Sequence, residues 1–261
     1  MLAFERYIGI DYSGAQTPTS SLPGLRIYQA TPLQPAEEVL PPPSPRKYWT
    51  RRGIAQWLVQ ELASGPPALV GIDHGFSFPL KYFERHDLPL CWPEFLVDFR
   101  LHWPTDGDNI YVGSVCDGTR GKAAARAGDP RWRRTTELRA RTAKSVFHFD
   151  VQGTVAHSTH AGLPWLLHLR EHLGSKLHFW PFDGWEVPAH TPVIAEVYPA
   201  LWNKSFPTES RTRDQQDAFV IAEWMRRTDN DGSLERFFQP KLDAYNRAMA
   251  DVEGWILGVE V

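Results

Sequence analysis

Cysteine is almost missing from this chain. Its two residues, Cys91 and Cys116, stand in neither a CxxC nor a Cys/His spacing, which argues against a disulfide framework and a thiolate zinc site. Long apolar runs are missing too. The opening MLAFERYIGIDYSG is interrupted by Glu5 and Arg6 and is too short for a signal peptide or a membrane span, so a cytoplasmic protein with no membrane partner is expected. Nor is there an excess of positive charge. A net charge of −3 denies the chain the global basic footprint of a small dedicated DNA-binding domain, and any nucleic-acid contact must then be local. No repeat of solenoid length occurs. The GTRGK run at Gly118–Lys122 fails the spacing of a phosphate-binding P-loop and follows no strand pattern.

What is present is ordinary globular material. Hydrophobic residues make up 42% and charged residues 23% of the 261 positions, enough to bury about three quarters of the unfolded surface. Three short strand patterns open the chain, at 5–12, 25–30 and 37–40, separated by turn-rich segments. The prolines from Pro41 to Pro45 stop them. Thr50 then caps a helix whose Ile54, Trp57, Leu58 and Leu62 fall near helical spacing, and Ala68–Asp73 reads as a strand buried on both faces. Further helices are predicted near 93–101, 163–173, 213–227 and 242–252, and strands near 177–181 and 193–198. This order predicts a single α/β domain over residues 1–261, with a mixed sheet whose first three strands are antiparallel and whose later strands return parallel through helices.

Two strands end alike, in Ile8-Gly9-Ile10-Asp11 and Val70-Gly71-Ile72-Asp73. In an open α/β sheet, ligands sit beyond the carboxyl ends of parallel strands, so neighbouring strands would bring these aspartates together. No lysine or arginine directly adjoins either in sequence, and buried carboxylates need a counter-charge, which points to a divalent cation. A third element is Asp214-Gln215-Gln216-Asp217-Ala218. The stripe Ala218, Ile221, Ala222, Met225 extends back one turn to Asp214, with Asp217 beside it, and Thr212 with Gln215 makes a capping box. Acids in a first turn also serve plain helix stabilisation. Gln216 is expected on the far side of the helix. Glu196, inside the apolar Val193–Tyr198, either faces solvent on an edge strand or points into the same pocket.

From Arg120 to Lys144 nine Lys/Arg face only Asp129 and Glu137, with few large apolar residues. A mobile basic loop is predicted over this stretch, within an insertion at about 106–144, either solvated or a phosphate-contacting arm carrying Arg120, Lys122, Arg131, Arg133, Arg134 and Lys144. His157 and His160 would share a helix face, but no third zinc ligand is evident. Trp92, Trp103 and Trp132 could stack on bases or pack the core.

Gly9–Ala15, Gly71–Pro79, Glu196–Ala200 and Asp214–Trp224 together resemble the predicted nucleases of domain-of-unknown-function family 429, itself similar to the ribonuclease H-like superfamily. The Asp-x-x-Asp-Ala helix is similar to the closing acidic helix of Holliday-junction resolvases of the RuvC type. The resemblance covers most of the chain at motif level. It implies a ribonuclease H-like fold and a nuclease using Mg2+ or Mn2+ on DNA or RNA. It also implies a catalytic and metal-binding set of Asp11, Asp73, Asp214 and Asp217, with Glu196 matching the family's Glu-x-x-Pro pattern. Asp73 departs from the glutamate of the resolvases, and the basic insertion is not part of the minimal fold. Rival readings are a non-catalytic nucleic-acid-binding protein of the same fold and a phosphotransferase of the actin and sugar-kinase type.

Overall fold

Hydrogen bonding in the computed structural model, which describes residues 4–42, 47–140, 142–149 and 154–261, joins six strands into one mixed sheet. Strands β1 (Arg6–Asp11), β2 (Arg26–Thr31) and β3 (Gln34–Glu38) form an antiparallel meander. Strands β4 (Ala68–Asp73), β5 (His178–Trp180) and β6 (Val193–Glu196) add parallel strands, in the order β3-β2-β1-β4-β6-β5. This is the α/β arrangement the sequence predicts. Pro43, Pro45 and Arg141, which the sequence reading also used, lie outside the described residues.

The crossover from β1's hairpins to β4 is α1 (Arg51–Ser64), started by Thr50, whose hydroxyl accepts the Gly53 amide at 2.9 Å. Helices α2 (Leu80–His86), α3 (Trp92–His102), α4 (Val112–Cys116) and α5 (Thr135–Arg139) follow β4. Helix α6 (Val155–Leu173) then leads to β5. Helix α7 (Arg213–Asn230) follows β6, and α8 (Leu234–Phe238) and α9 (Ala244–Glu253) come after it. No helix among the described residues is long and apolar enough to cross a membrane.

Two cores lie on the two faces of the sheet, and strand alternation assigns each residue to one of them. Ile8, Ile10, Val70, Ile72 and Ile194 face the core shared with α1, α3 and α6. Tyr7, Leu69, Val193, Ala195 and Val197 face the core built around α7. Gly9 and Gly71 alternate onto that second face, and their missing side chains decide how closely α7 packs. A Cβ on Gly9 would lie 2.2 Å from the Ala218 carbonyl oxygen and 2.6 Å from the Ala222 amide nitrogen, and one on Gly71 would lie 2.7 Å from Ile221 Cγ2. The helix therefore sits against bare backbone at both positions.

The basic insertion is not a loose loop. Trp132 packs edge-on against Phe147, which in turn meets Phe78 and Tyr82 of the first core. Arg134, predicted as a nucleic-acid contact, is 1% exposed. Charge counting alone missed that Arg133 and Arg134 find partners inside the fold.

Candidate acidic site

Asp11 and Asp73 are register partners at the ends of the adjacent parallel strands β1 and β4, and each stands two residues beyond a glycine. Both therefore belong to the face that α7 covers. Because α7 rests directly on Gly9 and Gly71, its first turn reaches the strand ends with Asp214 and Asp217. The expected capping box sets that turn: the Thr212 hydroxyl accepts the Gln215 amide at 3.3 Å, and Gln215 Oε1 accepts the Thr212 amide at 3.0 Å.

The four carboxylates feel one another. Asp11 is held well above the ordinary carboxylate range by burial first, then by the charges of Asp73, Asp217 and Asp214. Asp73 is raised likewise, by burial and then by Asp217 and Glu196. Arg213 opposes both shifts from the first position of α7, with its side chain 92% exposed and its Nε 3.9 Å from Asp217 Oδ2. No described residue donates a hydrogen bond to the Asp11 or Asp73 carboxylate. Asp217 differs: Asn203, in a 3-10 turn at Asn203–Ser205, donates Nδ2 to its Oδ1 at 2.6 Å, and this bond partly offsets the upward push of burial. Asn203 has no signal in the sequence, since a lone asparagine in a polar turn resembles any other.

The loops behind the two aspartates are pinned by buried charges. After Asp73, the Gly75 amide donates to Thr159 Oγ1 at 2.8 Å and the Phe76 amide to Glu196 Oε2 at 2.9 Å. His74, lowered by burial to about 4 and therefore neutral at physiological pH, donates Nδ1–H to the Gly75 carbonyl at 2.9 Å and meets the Tyr12 ring edge-on. After Asp11, the buried Arg51 donates to the carbonyls of Ser13, Ala15 and Gln16 at 3.1, 2.7 and 2.8 Å.

Glu196 does not join the carboxylate group as the sequence reading allowed. Its register partner is Ile72, one residue before Asp73, so alternation turns it to the opposite face of the sheet. There Arg134 clasps it with Nη2 on Oε1 at 2.5 Å and Nη1 on Oε2 at 2.7 Å, while Arg134 Nε binds Glu137 at 2.7 Å. Burial alone would lower the guanidinium pKa, but the two glutamates outweigh it and raise it. Glu196 thus supports the loop after Asp73 and is withdrawn as a catalytic candidate, and Arg134 is withdrawn as a nucleic-acid contact. Arg133 is engaged as well, on the carbonyls of Glu137 and Ala143 at 2.5 Å each, and Arg131 folds onto Asp129 while staying exposed. Arg120, Lys122 and Lys144 remain exposed. Gln216 is also corrected: it is 5% exposed, accepts from Arg211 Nε at 2.8 Å, and faces inward. His160 lies in an aromatic cage of Phe99, Trp103 and Phe149, while Trp92 and Trp103 are buried in the core.

The chain matches no family model, no curated protein and no solved structure. Among the described residues, no three His, Cys, Asp or Glu side chains are arranged to hold a metal ion as they stand. The donor chemistry nonetheless fits a hard divalent cation. Four carboxylates share one end of the sheet, and two of them accept no hydrogen bond from a described residue.

Proposed function

We propose that the chain is a magnesium- or manganese-dependent nuclease of ribonuclease H-like type, hydrolysing phosphodiester bonds of DNA or RNA in the cytoplasm. The observation that carries this reading is the in-register pair Asp11 and Asp73 under the first turn of α7, an arrangement that leaves clustered negative charge without an internal cation of matching strength. Asp11, Asp73 and Asp217 would hold the metal, assisted by Asp214, with side-chain rotation bringing their oxygens together. When bound, divalent ions at such a site activate a water and neutralise charge on the attacking and leaving oxygens of an in-line displacement.

The chain's own groups supply placement. Gly9 and Gly71 let α7 bring its acids to the strand ends, Arg51 and Glu196 fix the loops behind the two aspartates, and Asn203 keeps Asp217 oriented and favours its ionised form. Substrate grip would come from Arg213 at the mouth and, farther out, from Arg120, Lys122 and Lys144.

The test is cleavage of labelled single-stranded, duplex and branched DNA and RNA with magnesium, manganese or chelator. Wild type should cut at least one substrate only with metal, and Asp11→Asn and Asp217→Asn should cut none. If wild type cuts nothing and manganese leaves its melting temperature unchanged, a non-catalytic binding protein replaces this reading.

A further inference from the structure

Helix α6 closes on His168-Leu169-Arg170-Glu171-His172. Residues four apart on a helix stand one turn above each other on the same face, and here the two imidazole rings meet, with centroids 4.0 Å apart and planes inclined by 37°. Their hydrogen bonds leave nitrogens free. His172 Nδ1 lies 2.8 Å from the His168 carbonyl oxygen, which can only accept, so in the neutral ring Nδ1 carries the hydrogen and Nε2 keeps its lone pair. The His168 ring meets Trp165 edge-on at 5.5 Å and makes no hydrogen bond among the described residues, so it too offers a lone pair. His172 is exposed and His168 half-buried, and an ion from solvent can reach both.

The surroundings favour a cation. Both rings belong to the last two turns of α6, where the helix dipole attracts positive charge. His168 also feels the charges of Glu171 and Asp106, and of the Arg100 that joins them at 3.3 and 2.8 Å. Two carboxylates against one guanidinium leave this edge net negative, and the adjoining Arg170 is held by Asp183 at 2.8 Å. Among the described residues no third His, Cys, Asp or Glu is arranged with the two rings as a ligand, so water would fill the remaining positions.

The ring spacing selects the ion. With metal–nitrogen bonds of about 2.0–2.1 Å, two imidazoles on one metal have centroids roughly 4.5 Å apart at a right angle and roughly 5 Å apart at the tetrahedral angle. From 4.0 Å the rings must part by only about half an ångström to reach the right angle of the tetragonal sites that nickel(II) and copper(II) prefer, and by about twice as much for tetrahedral zinc.

We propose that His168 and His172 form a surface metal site at the end of α6 that takes nickel(II) or copper(II), with Glu171 and Asp106 accepting hydrogen bonds from the water that completes its coordination. The site is independent of the nuclease reading. Helix α6 runs into β5, which is parallel to β6 and through it to β4, so its last turn lies at the end of the sheet opposite Asp11 and Asp73. The two rings are paired only when the helix is formed, and a bound ion therefore favours the folded chain.

The experiment measures nickel and zinc affinities by calorimetry, and melting temperature with nickel and with chelator, on wild type, His172→Ala, His168→Gln, Asp11→Asn and His190→Asn. His190 is an exposed histidine with a φ of 57°, which asparagine tolerates, and serves as the control. Wild type should bind nickel more tightly than zinc and melt higher in nickel. His172→Ala and His168→Gln should each lose that rise and bind nickel more weakly by at least the roughly tenfold that loss of an outer-shell partner costs. Asp11→Asn and His190→Asn should keep the nickel site that those two variants lose. Nickel affinity unchanged in both His172→Ala and His168→Gln overturns the site, as does wild type that binds no nickel. Nickel binding that Asp11→Asn alone abolishes belongs to the carboxylates and overturns it likewise, and zinc bound more tightly than nickel overturns the choice of ion.

Discussion

Arg134 reaches 62 residues along the chain to hold both oxygens of Glu196, and both side chains are buried. This pair ties the basic segment to the end of β6, while Thr135 donates its amide to Glu253 at 2.7 Å and extends the tie to α9. The segment is therefore part of the scaffold behind the acidic site.

Arg134→Ala should then cost about 3–5 kcal/mol, because it strands Glu196 and Glu137 as buried charges without a partner. Arg131→Ala, which loses only an exposed contact with Asp129, should leave the unfolding midpoint indistinguishable from that of wild type. Urea unfolding of the two variants measures this. Equal effects would return the segment to the status of a surface loop.

Gly9→Ala should lower stability by about 1–3 kcal/mol, since its Cβ meets the backbone of α7 and the helix must shift. Gly71→Ala should cost less, because its nearest neighbours are side-chain atoms of Ile221 and Val197 that can rotate. If the nuclease reading holds, Gly9→Ala should also lose metal-dependent cleavage, as the Asp214–Asp217 turn moves away from Asp11. Circular dichroism melts and a cleavage assay would register both effects, and an unperturbed Gly9→Ala would mean that α7 does not rest on this strand.

Asp11 and Asp73 should give the metal-free protein an unusual pH response. Their folded pKa values lie above the unfolded ones, so between those values the folded state holds protons that the unfolded state has released. Stability from these groups is then greatest at low pH and is lost as pH rises through the raised values. Asp11→Asn should flatten that decline and melt higher than wild type at neutral pH in chelator. A lower melting temperature for Asp11→Asn under those conditions would contradict the clustering of charge described above.

The parts of this fold that were legible in the sequence were those with a repeated local signature. The two Gly-Ile-Asp strand ends gave the parallel pair, and the stripe from Ala218 to Met225 set Asp214 and Asp217 on the right side of α7. Glu196 was not legible because its direction depends on register with β4, which no local pattern encodes. Arg134 was not legible because composition counts its charge and cannot see Glu196 arriving from 62 residues away. Helix α6 starts eight residues before its predicted beginning at Leu163, since burial on nearly all sides leaves no polar face to mark the periodicity. The short α2 and α4 lack enough turns to show one.

The order of synthesis gives the glycine face of the sheet a further significance. Strands β1 and β4 are made early, yet the helix that covers Gly9 and Gly71 begins only at Arg213. A growing chain carries Asp11 and Asp73 for some 140 residues with that face open to whatever surrounds the ribosome, and without the two acids of α7. Truncated products of this chain would therefore present an uncovered apolar sheet face and lack the two acids of α7, and that open apolar face makes them prone to aggregation.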